Sequence, residues 1–131
     1  MSDTPYTVVN LKEVEDLAPT VGLSPSLEAR FARKPLELEQ SGLTYFRMAP
    51  GFREPFAHRH GSQEEIYVVV SGSMRMKLED EIVELRAWDA IRIPPETMRC
   101  REAGPNGAEM ILIGAPQVED DGELLRDWWT D

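Results

Sequence analysis

From Ser73 onward the chain alternates clearly, with Met74, Met76 and Leu78 interleaved with Arg75, Lys77 and Glu79. A period of two is that of a strand with one buried face and one wetted face. Comparable short runs continue from Leu36 and predict strands over 36–40, 43–49, 55–60, 65–71, 73–79, 82–86, 90–94, 98–102 and 108–114. They are separated by Ser41-Gly42, Pro50-Gly51, Gly61-Ser62, Glu79-Asp80, Pro94-Pro95 and Gly104-Pro105, all of them turn-forming pairs. Ahead of the strands, Asn10-Leu11-Lys12-Glu13 sets a cap residue three positions before a glutamate, with Leu11, Val14 and Leu17 on one side, and predicts a short helix. Ser24-Pro25 predicts the start of another, with Leu27 and Phe31 as its buried pair. Many short strands without long helices between them imply an all-β sandwich or barrel. The expected organisation is an N-terminal arm with short helices (1–35), a barrel (36–115) and an acidic aromatic tail (116–131), whose Trp128 and Trp129 are expected to dock on the barrel or on a second subunit.

A chain of 131 residues has room for one ordinary domain, and 41% hydrophobic residues suffice for a core. The net charge of -10 changes the picture more: acids outnumber bases 24 to 14, which argues against a nucleic-acid partner. The first ten residues lack a basic start followed by an apolar run, and no apolar stretch approaches membrane-spanning length. The expectation is a cytoplasmic protein without a membrane partner. Cys100, the single cysteine, cannot form an internal disulfide, and nothing around it supports a role as ligand or nucleophile.

The candidate chemistry lies at His58 and His60, the only two histidines, with Glu65 five residues further on. On a strand, residues two apart share a face, so both imidazoles are expected to point the same way, and a turn at Gly61-Ser62 is expected to bring Glu65 back toward them. Two imidazoles and one carboxylate on one wall form a site for a divalent transition metal. Taken alone, the two histidines could equally be solvated side chains on an edge strand, and Glu65 one exposed acid of the pair Glu64-Glu65.

Gly51, the His58-Arg59-His60 triplet, Glu65 and Gly72 together resemble the first motif of the cupin superfamily. Four residues separate His60 from Glu65 and six separate Glu65 from Gly72, while the gap before His58 is one residue longer than the commonest form. The second cupin motif, ordinarily Gly-Asp, a strand, Pro-x-Gly and a histidine, is matched by Trp88-Asp89, Ala90 to Ile93, Pro94-Pro95-Glu96 and Arg99 in the histidine's place. The resemblance covers residues 36–115. It implies a double-stranded β-helix, or jelly-roll barrel, and a metal site of His58, His60 and Glu65, the fourth ligand being absent because a guanidinium offers only donors. It also implies a homodimer. The spacing to Gly72 selects Glu65 over Glu64 as the inward acid, with Tyr67 and Val69 on the same face.

Arg99 has two readings. Simple alternation in Met98-Arg99-Cys100-Arg101 puts Met98 and Cys100 inside and both arginines in water, whereas the family pattern puts Arg99 inside, paired with Glu65 or holding an anionic ligand. Phe56, Tyr67, Met48 and Met76 are expected to line the pocket beside it. The first functional reading is therefore a metal-binding cupin (iron, manganese, nickel or zinc) with a small organic ligand or substrate, and if an enzyme, a dioxygenase, isomerase or lyase. Its alternative is a metal-free binding or sensing barrel in which Arg99 replaces the metal as the positive charge. A histidine acting as acid or base without a metal is a third possibility.

Overall fold

The computed structural model of the protein describes residues 4–114 and 122–131. Two short 3-10 turns, Leu11–Glu13 and Ala18–Val21, precede eight strands: β1 (Leu27–Phe31), β2 (Gly42–Met48), β3 (Phe56–Arg59), β4 (Glu65–Leu78), β5 (Glu81–Arg86), β6 (Ala90–Ile93), β7 (Arg99–Gly114) and β8 (Glu123–Arg126). No helix among the described residues is long and apolar enough to cross a membrane.

The long strands β4 and β7 run antiparallel, from Glu65 opposite Gly114 to Leu78 opposite Arg99. Each belongs to two half-sheets. One holds β1, β2, the second half of β7, the first half of β4 and β6. The other holds β8, β3, the first half of β7, the second half of β4 and β5. Folded face to face, the halves make the expected jelly-roll barrel. The bend between them lies where the β4–β7 register shifts, between Val69 and Ser71 and again between Gly72 and Met74. Gly72 has φ 72°, and a Cβ there would collide with the carbonyl oxygen of Gly107, so the glycine closing the sequence motif permits the two strands to meet at the bend. Phe46, Met48, Tyr67, Val69, Met74, Met76, Ile93 and Met110 fill the interior between the halves.

Several expected elements differ. Leu27 to Phe31 is a strand, not a helix: Leu27 pairs with Met48 and Phe31 with Thr44. A spacing of four is shared by the helical and extended periods, so Leu27 and Phe31 alone could not tell them apart; Ala29, also buried, settles the period as two. Phe31 is 46% exposed rather than part of a buried pair. No strand forms over 36–40, where the chain winds through turns with Leu36 N–H donating to the carbonyl of Ala32 and Glu37 at φ 57°. The separate strands expected at 65–71 and 73–79 form the single bent β4, and those at 98–102 and 108–114 form β7. β1 and β8 both add to the half-sheets, so the barrel draws on chain outside 36–115.

The first helix is a single turn, with the Asn10 side chain accepting from the N–H of Lys12 as a cap. In the tail, β8 pairs with β3, and Trp129 is 5% exposed, covering Ala57, Met98 and Cys100 on the outside of the second half-sheet. The docking of Trp129 is on the barrel of the same chain. The acidic run Glu119-Asp120-Asp121 lies outside the described residues.

Candidate metal centre

β3 carries His58, His60 follows it, and Glu65 opens β4. Both imidazoles face inward and stand edge to face, with ring centroids 5.0 Å apart. β3 and β4 do not pair with each other: β3 lies between β7 and β8, and the His60 N–H donates to the carbonyl of Pro95 at 2.7 Å. The carboxylate therefore meets the imidazoles across the barrel interior and not through a hairpin at Gly61-Ser62. His60 Nε2 is 3.2 Å from Glu65 Oε2, and His58 Nε2 is 3.7 Å from Glu65 Oε1. Glu64, by contrast, is exposed and meets Arg92 at 3.3 Å.

The three side chains each offer a ligand atom, all within 4.8 Å of one another. Two ligands at right angles on an ion with bonds of about 2.1 Å stand about 3 Å apart, so the donor set fits a small divalent cation. Burial opposes the ionised form of Glu65, but the two imidazoles more than offset it and hold the carboxyl well below the usual carboxylate range. Glu65 thus presents the anionic form that coordination requires.

Arg99 is inward and wholly buried, opposite His58 in the register. Its Nη1 donates to Glu65 Oε1 at 2.8 Å, its Nε to the Thr97 carbonyl at 3.0 Å, and its Nη2 to the carbonyls of Pro94, Pro95 and Thr97 at 2.7 to 2.9 Å. The Tyr67 hydroxyl also donates to Glu65 Oε1, at 3.3 Å, and burial pushes its ionisation far up, so it stays protonated. Arg99 and Tyr67 together tie down one oxygen of Glu65, while the other faces His60.

These side chains border a cavity of about 1140 Å³. Phe56, His58, His60, Glu65 and Tyr67 line it; Met48 and Met76 do not, being buried in the core. Arg99 is not a lining residue either. It sits behind Glu65 with its donors taken by protein acceptors, which corrects the expectation that it presents a positive charge to a ligand.

Sequence reasoning missed a second buried pair. Arg101 is 3% exposed and makes a two-pronged contact with Glu54, Nε to Oε1 at 2.9 Å and Nη2 to Oε2 at 2.8 Å; Glu54 Oε1 also accepts from the Arg101 backbone N–H at 2.9 Å. The guanidinium lies 4.1 Å from the Phe46 ring centroid, and both charged residues reach the cavity. The signal was present: residues two apart on a strand share a face, so an inward Arg99 requires an inward Arg101. Simple alternation misled because both faces of β7 are buried here, Met98 and Cys100 lying under Trp129.

Comparison with known proteins agrees with this architecture. A family model described as the cupin domain matches residues 44–113. An uncharacterized protein of Methanocaldococcus jannaschii is 35% identical over 71 residues, 53% of this chain and 57% of that protein, so the chain spans little more than half of that relative. Among solved structures, a cupin protein from Bacteroides fragilis is 21% identical with a TM-score of 0.71, covering 98% of both chains. A polyketide cyclase from Streptomyces resistomycificus is 22% identical with a TM-score of 0.72, covering 95% of this chain and 87% of its own. A sugar phosphate isomerase of the cupin superfamily from Silicibacter pomeroyi is 16% identical with a TM-score of 0.72, covering 92% and 82%. At such identities the structural likeness bears on fold alone, but the family match spans more than half of the chain, and with the bent two-sheet barrel and its inward His-x-His it makes this protein a member of the cupin family.

Proposed function

We propose that the protein binds a divalent transition metal (iron, manganese, nickel or zinc) through His58, His60 and Glu65, and that it binds or acts on a small organic molecule in the adjoining cavity. The observation that carries this reading is the convergence of two imidazoles and an ionised carboxylate on one cavity wall. A metal held there supplies Lewis-acid or oxygen-activating chemistry. The chain's own residues do the positioning. Arg99 and Tyr67 hold Glu65 through Oε1 and leave Oε2 toward His60, which favours one carboxylate oxygen as ligand. Cavity walls that include Phe46, Phe56 and Leu112 exclude water from the ligand's body. Proteins of the same fold named as a polyketide cyclase and a sugar phosphate isomerase make a small molecule the natural partner, and the net charge of -10 disfavours nucleic acid. The proposal extends to a cytoplasmic homodimer, on the resemblance to cupins.

A second reading has one specific observation behind it. Arg99 stands where the fourth ligand ordinarily stands and bonds directly to Glu65, so the pair can satisfy that carboxylate with no metal at all. Plasma mass spectrometry of untagged protein, with His60→Ala as control, decides between them. Near-stoichiometric metal that disappears in the variant is the expected result. Absence of metal from both, with no uptake on addition, would overturn the metal reading and leave a metal-free binding barrel.

A further inference from the structure

Several charges around the cavity are matched within the protein, whereas Arg33, Lys34 and Glu15 have no ion pair among the described residues. Arg101 is held by Glu54, Arg59 by Glu123 at 2.8 Å, and Arg99 by Glu65 behind the wall. Arg33 also lines the cavity, from the turn after β1, and no ion pair engages it among the described residues. Its Nη1 is buried and has no hydrogen-bond acceptor. A buried guanidinium N–H without an acceptor is costly, and the group cannot relieve that cost by losing its proton. The side chain as a whole is only half-buried and borders the cavity, so an anion held there can reach the guanidinium. Lys34, exposed beside it, lines the same region and adds to the positive charge there.

The remaining walls define what else the ligand must be. Leu17, Val21, Leu27, Phe31, Phe46 and Leu112 contribute apolar surface, and Phe31 and Val21 are exposed at the cavity although each is large and hydrophobic. A strongly hydrated body such as a sugar would have to be desolvated against these side chains with few partners in return. We propose that the cavity takes an apolar, ring-sized organic acid, with its carboxylate on Arg33 and its apolar body along the wall formed by the N-terminal turns, β1 and β2. A carboxylate is favoured over a phosphate because a single guanidinium matches one planar anion, whereas a dianion would call for further buried donors. This inference rests on reading the cavity as a small-molecule site but not on the metal.

The test uses three probes with one apolar body: 1-naphthylacetate, its neutral amide 1-naphthylacetamide, and 1-naphthyl phosphate, titrated calorimetrically into the 131-residue protein with and without a chelator. Wild-type protein is expected to bind the acetate about tenfold more tightly than the amide, the factor corresponding to one charge-assisted hydrogen bond. In Arg33→Gln that preference should vanish while amide binding is unchanged, and Arg33→Lys should restore part of it. Equal binding of acetate and amide by the wild type, no binding of any probe, or a preference surviving in Arg33→Gln would overturn the proposal. Tighter binding of the phosphate than of the acetate would overturn the assignment of a carboxylate. The chelated sample separates the two readings: loss of metal that leaves the acetate preference intact leaves Arg33 as the anion site whatever becomes of His58, His60 and Glu65.

Discussion

The pair Glu54–Arg101 gives the sharpest test of how this barrel tolerates charge in its interior. Both residues are buried, and three hydrogen bonds of 2.8 to 2.9 Å connect them, one from the Arg101 backbone. Arg101→Met removes two of the three and leaves Glu54 with the backbone donor alone. Glu54→Gln keeps an acceptor for that backbone N–H but leaves a buried cation supported mainly by the Phe46 and Tyr67 rings. Breaking a buried pair from one side costs about 3–5 kcal/mol, whereas removing both charges is often close to neutral. For a chain of this length each kcal/mol lowers the midpoint by about 3–4 °C, so either single variant should melt about 10–20 °C below wild type. The double variant Arg101→Met/Glu54→Gln should recover at least about 2 kcal/mol relative to the sum of the singles in urea unfolding. An unpaired carboxylate can shed its charge by taking up a proton and a guanidinium cannot. The deficit of Arg101→Met should therefore shrink between pH 7 and pH 5, while that of Glu54→Gln should not. Single variants within about 1 kcal/mol of wild type, or strictly additive effects, would refute the reasoning.

The tail and the arm yield two more expectations. Trp129 covers Cys100, and burial pushes that thiol up to about 12, so folded protein should resist alkylation by iodoacetamide at pH 8; Trp129→Ala should cost about 3 kcal/mol and make the thiol reactive, and rapid alkylation of the wild type would show that the tail does not seal it. Asp16 fastens the arm to β1, its Oδ1 accepting from the N–H groups of Ala18 and Ala29 at 3.0 and 2.9 Å. Burial opposes its charge, yet these bonds and the nearby Arg30 hold its carboxyl below the ordinary value, so the folded state binds that proton less tightly than the unfolded state. Its contribution is whole above about pH 4 and drains as the pH falls below that, and Asp16→Asn should flatten the acid limb of a stability–pH curve measured by urea unfolding. An unchanged acid limb would assign that limb to other carboxylates.

What was legible in the sequence followed from local period and motif spacing. The alternation from Ser73 located half of β4, and the six residues between Glu65 and Gly72 selected the inward acid, because a slip of one residue would have turned Tyr67 and Val69 outward. The parts that were not legible depend on contacts between distant segments. Leu27 and Phe31 fit a helix and a strand equally until β2 is there to pair with β1. Met98, just before β7, and Cys100 look like a single inward face unless the C-terminal tail is known to cover them. That covering layer lets β7 bury both faces and turn Arg99 and Arg101 into the barrel, where alternation taken alone had placed them in water.

The burial of those two arginines bears on chemistry as well as on fold. In a barrel that offered Glu65 to two imidazoles alone, the carboxylate would face them with both oxygens, and a cation entering the site would meet a full negative charge. Here Arg99 draws on Oε1 from behind, so the site offers a cation two imidazoles and one uncommitted oxygen beside an existing positive charge. Coulomb repulsion from Arg99 weakens cation binding relative to a site without it, and the two imidazoles that hold the Glu65 carboxyl low make it a poor base. Proton transfer to Glu65 is then disfavoured, and a metal, were His58, His60 and Glu65 to hold one, would supply Lewis-acid polarisation in its place. Arg33, set on a different part of the cavity and without an ion pair among the described residues, places a second positive charge in the cavity, apart from the three side chains that could hold a metal.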